Sequence, residues 1–139
     1  MSNSLQPLSR VLISAVFIVF GYIQFTHIGN YVANPAIIKV SGMTGGILTP
    51  TILAYLVAAI DLFGGILILV GYQTRWAALV LIGFVVLTLL FVHTFWTMEG
   101  PARAANEANF YKNLAIIGGL LLLFVHGPGS MSVDSRARN

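Results

Sequence analysis

Residues 48–70 read LTPTILAYLVAAIDLFGGILILV, an apolar run that contains a single charged residue, Asp61. A helix of about 20 apolar residues crosses the roughly 30 Å hydrocarbon core of a bilayer. The rest of the chain has the same character, because 58% of its 139 residues are hydrophobic and only 8% are charged. A soluble domain carries about 25% charged residues. The composition therefore predicts an integral membrane protein in a lipid bilayer and excludes disordered and nucleic-acid-binding proteins.

Three further apolar runs, at about residues 8–27, 76–97 and 107–126, are also long enough to span a membrane. With residues 48–70 they predict an all-α integral membrane four-helix bundle, in which residues 1–139 form a single domain. The fourth run ends at the helix stop Gly127-Pro128-Gly129. The Ala/Asn-rich residues before Glu107 form either a short interfacial helix or an extension of the fourth helix.

Basic residues near the ends of the spans predict the orientation, since loops on the inner side carry an excess of Lys and Arg. Four spans place both termini on one side of the membrane. That side holds Arg10, Arg75, Arg136 and Arg138, and the opposite side holds Lys39, Arg103 and Lys112. The bias predicts that both termini are inside.

Each span carries a stripe of small and polar residues at spacings of three and four, which predicts the face that packs against other helices. The first two stripes are Arg10, Ser14, Phe17, Gly21, Gln24 and Ala54, Ala58, Asp61, Gly65, Ile68. The other two are Leu79, Gly83, Val86, Leu90, His93, Thr97 and Lys112, Ala115, Gly119, Leu122, His126. We expect Gly64-Gly65 and Gly118-Gly119 to be close helix contacts.

Asp61 lies near the bilayer midplane, where a charged side chain costs about 2.5–3.5 kcal/mol. Two interpretations are open. A structural Asp61 ties helices together through a hydrogen bond or an ion pair, whereas a functional Asp61 accepts protons or binds a ligand. Arg10 or Lys112 can pair with it directly only if helix tilt brings them close, so Arg10 is a candidate for a structural ion pair.

A group of polar residues falls toward the outer side of the predicted bundle. Its members are Gln24, His93, Asn109, Lys112 and Asn113. They form either a polar vestibule that binds a ligand or an ordinary helix-end cap beside an interfacial aromatic belt. The aromatic residues of that belt are Trp96, Phe110 and Tyr111.

The chain contains no cysteine, so it cannot build a disulfide, a zinc–thiolate site or an iron–sulfur cluster by itself. We find no metal-ligand motif, phosphate-binding loop or nucleophile elbow. Haem is not expected, because only His27 and His93 share a depth and His27 lies at a helix end. Asp134, outside the fourth span, is predicted to be a solvated tail residue.

Several motifs match a known family in order and spacing. They are Arg10 with Gly21-Tyr22-Ile23-Gln24, Asp61-Leu62-Phe63-Gly64-Gly65, Gly71-Tyr72-Gln73-Thr74-Arg75, His93-Thr94-Phe95-Trp96, Asn109-Phe110-Tyr111-Lys112-Asn113-Leu114, Gly127-Pro128-Gly129 and Ser132-Val133-Asp134. Over nearly the whole chain this pattern resembles the DoxX family of small four-span bacterial membrane proteins. The chain departs from that family at Gln24, where Lys is usual, and at Asp61, where Glu is usual.

The resemblance implies a protein of the bacterial plasma (inner) membrane that acts as an accessory subunit of a membrane redox system. Such an oxidoreductase subunit would bind quinone or a small sulfur compound in the outer half of the bundle. Asp61 and His93 would be catalytic, with Asp61 handling protons and His93 hydrogen-bonding a carbonyl group. Gln24, Lys112 and Asn113 would bind the ligand.

Two other functions fit the same residues. The protein is then either a non-enzymatic assembly or scaffold subunit of a larger membrane complex, or a small transporter with Asp61 as a midplane gate. The expected partners are redox subunits, other membrane proteins or a second copy of the chain.

Overall fold

The structure, a computed structural model, describes residues 5–137, and every regular element in that range is helical. In chain order these are α1 Leu5–Thr26, α2 Ile28–Val32, α3 Pro35–Met43, α4 Pro50–Val70, α5 Thr74–Phe91, a 3₁₀ helix Phe95–Thr97, α6 Gly100–His126 and α7 Val133–Arg136. Four segments are long and apolar enough to cross a membrane, namely α1, α4, α6, and α5 together with the 3₁₀ helix. The prediction of an all-α membrane helical bundle is confirmed.

The end of the bundle that carries the two long loops is here called the loop end. At this end, α5 and α6 have different bounds from the predicted spans. α5 stops at Phe91 instead of continuing to about residue 97. α6 begins at Gly100 instead of near Glu107, so the Ala/Asn-rich residues extend this helix. Pro101 suits the first turn, where its missing N–H is not needed. The span was predicted from hydrophobicity, which indicates only the part of a helix that lies inside lipid. The prediction therefore missed the polar first part of α6.

α1 and α4 run antiparallel and pack closely. Their contact contains glycine residues, which have no side chain to hold the two backbones apart. A Cβ atom built on Gly21 would lie 2.8 Å from the Cα of Leu62, and one built on Gly65 would lie 2.9 Å from the Cβ of Phe17. Contacts this short are not tolerated by real Cβ atoms, so only glycine allows the two backbones to approach so closely.

The first two predicted stripes are confirmed, and the last two are wrong. Each residue of the stripes on α1 and α4 is buried. On α5 the buried residues are Thr74, Ala77, Ala78, Leu81, Val85 and Leu89, and on α6 they are Leu120 and Leu123. The α5 and α6 stripes were drawn through His93, Lys112 and His126, and none of these three polar residues lies on a buried helix face. Gly119 does contact Ile13, but Gly118 has no neighbour within 4 Å of a built Cβ.

The core of the bundle is formed by apolar residues from all four long helices. Its members are Phe17, Ile68, Ala77, Ala78, Leu81, Val85, Leu120 and Leu123. This core lies between the midplane and the end of the bundle where residues 5 and 137 lie, here called the termini end.

α4 extends beyond α1 at the loop end. Gln24 is two residues from Thr26, where α1 ends, whereas its neighbour Asp61 is eleven residues from Pro50, where α4 begins. At 1.5 Å per residue the offset is about 13 Å. The short helices α2 and α3 pack against α4 there, so they cover the part of α4 that α1 does not reach.

Candidate functional site

Asp61 lies in the contact between α1 and α4, and its partner is Gln24. The Nε2 atom of Gln24 donates a hydrogen bond of 2.8 Å to Oδ2 of Asp61. Only 5% of Asp61 and 7% of Gln24 are exposed. The Oε1 atom of Gln24 is buried without a hydrogen-bond partner. Two polar side chains, one from the confirmed stripe of α1 and one from that of α4, therefore join the two helices.

Arg10 and Lys112, the two predicted ion-pair partners of Asp61, lie elsewhere. Arg10 precedes Gln24 by fourteen residues of α1, or about 21 Å along the helix. Lys112 is exposed on α6 and, within residues 5–137, makes no hydrogen bond or ion pair. The prediction from the sequence placed the ends of all four helices in the same two planes, and the offset between α1 and α4 makes that assumption wrong.

Arg10 belongs to a polar cluster at the termini end. Arg10 is 4% exposed, its Nη2 atom donates to the backbone oxygen of Met131, and the carboxylate of Asp134 attracts its guanidinium electrostatically. Gly71 lies beside it, and a Cβ built there would overlap the Nη1 atom of Arg10 and lie 2.5 Å from the Cβ of Ser132. Gly71 also adopts φ of 71° at the C-cap of α4, where glycine is favoured.

Asp134 is a central member of this cluster, and its prediction as a solvated tail residue is wrong. Its carboxylate accepts hydrogen bonds from the backbone N–H groups of Gln73, at 2.8 Å, and Thr74, at 3.0 Å. Its own N–H donates to the carbonyl oxygen of Gly71 at 2.9 Å. Asp134 therefore caps the N-terminus of α5, whose first N–H groups have no partner within the helix. The Ser132–Ser135 pair around it forms a capping box, and this pair is the sequence signal that could have indicated structure here.

The predicted group of polar residues at the outer side does not come together. His93 lies in the loop after α5, where its Nδ1 atom is 3.0 Å from Oδ1 of Asn106. Gln24 is bound to Asp61 instead, Lys112 is exposed, and Asn113 is half-buried. Asn106 was missed because the fourth span was predicted to begin after it.

Four aromatic rings pack on one another beside His93, with centroids 5.3–6.4 Å apart. They are Phe95, Trp96, Phe110 and Tyr111. Aromatic rings gather at the membrane–water interface, where one edge is apolar and the other is wet. This arrangement favours the helix-end cap over a ligand vestibule.

Two open depressions lie at opposite ends of the bundle. One of about 460 Å³ at the loop end is lined by Ile23, His27, Asn30, Tyr31 and Asn34. The other, of about 250 Å³ at the termini end, is lined by Tyr72, Gln73, Arg75, Trp76, Pro128, Asp134 and Ala137. Asp61 lines neither of them.

The chain is similar to membrane proteins from bacteria and eukaryotes. Inner membrane protein YphA of Escherichia coli is 31% identical over 93% of this chain and 87% of its own length. Inner membrane protein YqjF of the same organism is 34% identical over 91% of this chain and 86% of its own length. The Drosophila melanogaster Surfeit locus protein 4 homolog is 32% identical over 56% of this chain, which covers 31% of that protein. No solved structure matches the chain.

The similarities and the four long helices show that the chain is a multi-pass inner membrane protein. The assignment to the DoxX family is wrong, because residues 5–139 match the SURF4 family and the relatives include Surfeit locus 4 proteins. The redox function that the DoxX resemblance implied is therefore also wrong. The chain belongs to the SURF4 family.

Proposed function

We propose that this protein is a non-enzymatic scaffold that assembles with a partner membrane protein, its residues forming one four-span domain. The names of its relatives refer to a membrane and a locus and not to a reaction.

The observation that supports the proposal is the buried, hydrogen-bonded pair of Gln24 and Asp61. A carboxylate that transfers protons or holds a substrate must be reached by water or ligand. Asp61 is almost completely buried, accepts a hydrogen bond from a neighbouring helix, and lines neither depression. Its polar group is thus used to hold α1 against α4. This favours the structural role of Asp61 over the catalytic one.

α6 supplies a surface of the kind that membrane helices use for association. It is the least buried of the four long helices, and Ala115 and Gly118 are exposed in its middle. A Cβ built on Gly118 would meet no atom within 4 Å. Small residues at such a face let a second helix approach closely. A transmembrane helix of the partner is the occupant that we propose.

Purification in a mild detergent tests the scaffold function. We expect a tagged chain to copurify with a membrane protein at a fixed stoichiometry, quantified by mass spectrometry. Gly118→Leu should abolish copurification without lowering the melting temperature, because a side chain at this position meets no neighbour within the bundle. Gly83→Leu, at an exposed glycine of α5 where a built Cβ also meets no atom within 4 Å, is the matched control. Recovery of the chain alone from its native membranes would contradict the proposal.

A small transporter is the second candidate, and the depression at the loop end favours it. Its wall includes Ile23, the residue before buried Gln24, and it carries the polar side chains of His27, Asn30 and Asn34. Proteoliposomes that contain the chain alone distinguish the two functions. Solute or proton flux that is lost in Asn30→Leu would support the transporter, whereas the scaffold predicts no flux.

A further inference from the structure

Residues 130–137, here called the C-terminal latch, fold back over the termini end of the bundle. The latch follows Gly127-Pro128-Gly129, in which Gly127 and Gly129 have φ of 76° and 82°. Positive φ is readily adopted by glycine and allows a sharp change of chain direction. The latch includes the short helix α7, which begins with its own capping box.

Polar contacts hold the latch in place. Asp134 caps Gln73 and Thr74 with its carboxylate and donates its N–H to Gly71. The guanidinium of Arg10 donates to the backbone oxygen of Met131. These contacts connect the latch to α1 and to the turn between α4 and α5.

The latch contributes no side chain to the hydrophobic core. That core is formed by residues of α1, α4, α5 and α6, and the two large apolar residues of the latch, Met131 and Val133, are 65% and 44% exposed. Segments with few buried apolar contacts open at a lower free-energy cost than the core. Water can replace the polar contacts of the latch once it lifts, because they lie at the end of the bundle.

We propose that the C-terminal latch is a conformational device that opens and closes over the termini end while the four-helix bundle stays folded. Opening releases the N–H groups of Gln73 and Thr74 and separates Arg10 from Asp134. It thereby makes a buried cation and a free helix N-terminus accessible at one face of the protein. Asp134 holds the closed state, since its carboxylate accepts hydrogen bonds from the turn and attracts Arg10 electrostatically.

Cysteine labelling tests the latch, because the natural chain contains no cysteine. Ser132→Cys reports on the latch, where Ser132 is buried, and Ser14→Cys reports on the bundle, where Ser14 is fully buried. Adding Asp134→Asn should raise the maleimide labelling rate of Cys at 132 by about tenfold. In both backgrounds, labelling at position 132 should be at least about tenfold faster than labelling at position 14, since only opening of the bundle itself exposes position 14. Arg136→Gln, at an exposed latch position, is the control and should change neither rate.

Two results would overturn the proposal. The first is a labelling rate at position 132 that Asp134→Asn leaves unchanged. The second is labelling at position 132 that is no faster than at position 14, which would show that the latch opens only with the bundle. Hydrogen exchange of the unsubstituted protein is the independent measurement. The amides of Gln73, Thr74 and Asp134 should exchange at least about 100-fold faster than that of Leu81 in the core, and equal protection would contradict a separate latch.

Discussion

Gln24 and Asp61 join α1 to α4 through a hydrogen bond of 2.8 Å between Nε2 and Oδ2, and both side chains are buried. The bond lies two residues from the end of α1 but in the middle of α4, so it marks the offset between the two helices. A polar pair buried among apolar residues specifies one pairing of helices, since any slip leaves both groups without a partner. The pair therefore determines how α1 and α4 are aligned.

Removing both partners of this pair should cost less than the two single losses added together. Gln24→Leu leaves the carboxyl group of Asp61 buried without its donor, and we expect a loss of about 1–3 kcal/mol in the free energy of unfolding. The double variant Gln24→Leu/Asp61→Leu should be more stable than the sum of the single losses predicts, by about 0.5–2 kcal/mol. Unfolding of all four proteins in detergent measures the coupling. Additive losses would show that the bond contributes nothing to helix pairing.

Asp61→Asn separates a structural role for Asp61 from a proton-transferring one. Asparagine keeps an oxygen that can accept from Nε2 of Gln24 but has no ionisable proton. We expect this variant to melt like the unsubstituted protein and to retain its partner in the copurification assay. A variant that folds normally but fails to complement a deletion strain would assign Asp61 to function and contradict the structural role.

Gly21→Ala should destabilise the bundle, because its new methyl group would overlap the backbone of Leu62. Overpacking of this kind typically costs about 1–3 kcal/mol. Gly118→Ala is the matched control in another long helix, where a built Cβ meets nothing within 4 Å. It should be neutral or stabilising, since alanine favours helix over glycine by about 1 kcal/mol. Equal melting temperatures for the two variants would contradict the close approach of α1 and α4.

His93 and Asn106 should contribute to stability as one unit. Their hydrogen bond of 3.0 Å connects the loop after α5 to the first part of α6. His93→Ala and Asn106→Ala should each cost about 0.5–1.5 kcal/mol, and the double variant should cost no more than the larger single loss. Melting curves of the three variants test this. A large loss of function without destabilisation would instead support the ligand vestibule predicted from the sequence.

The termini end of the bundle should face the cytoplasm. Arg10, Arg75 and Arg136 lie there, and arginines near span ends favour the cytoplasmic side. Alkaline phosphatase fused after Gly46 or after Glu99 should therefore be active in cells. Fusions after Gln73 and at the C-terminus should be inactive. The reverse pattern would invert the orientation, and a mixed pattern would contradict four spans.

The sequence by itself determined the class of fold and the packing faces of α1 and α4. In these two helices the polar residues Ser14, Gln24 and Asp61 share a stripe with glycine and alanine, so small size and polarity both indicated the buried face. In α5 and α6, small size and polarity do not indicate the buried face. Their buried faces are mainly apolar, and lipid-facing residues are apolar too, so hydrophobicity cannot tell one face from the other.

Only the tertiary structure decided which polar groups meet. Helical periodicity specifies the face on which Gln24 and Asp61 lie, but it contains no information about how far one helix slides along another. The contacts of Gly21 and Gly65 set that offset and so bring Gln24 to Asp61. For the same reason, no pattern within α5 predicted that Asp134, sixty residues later, would cap its N-terminus. Contacts between distant parts of the chain depend on the packed backbone, whereas composition and period depend on the sequence alone.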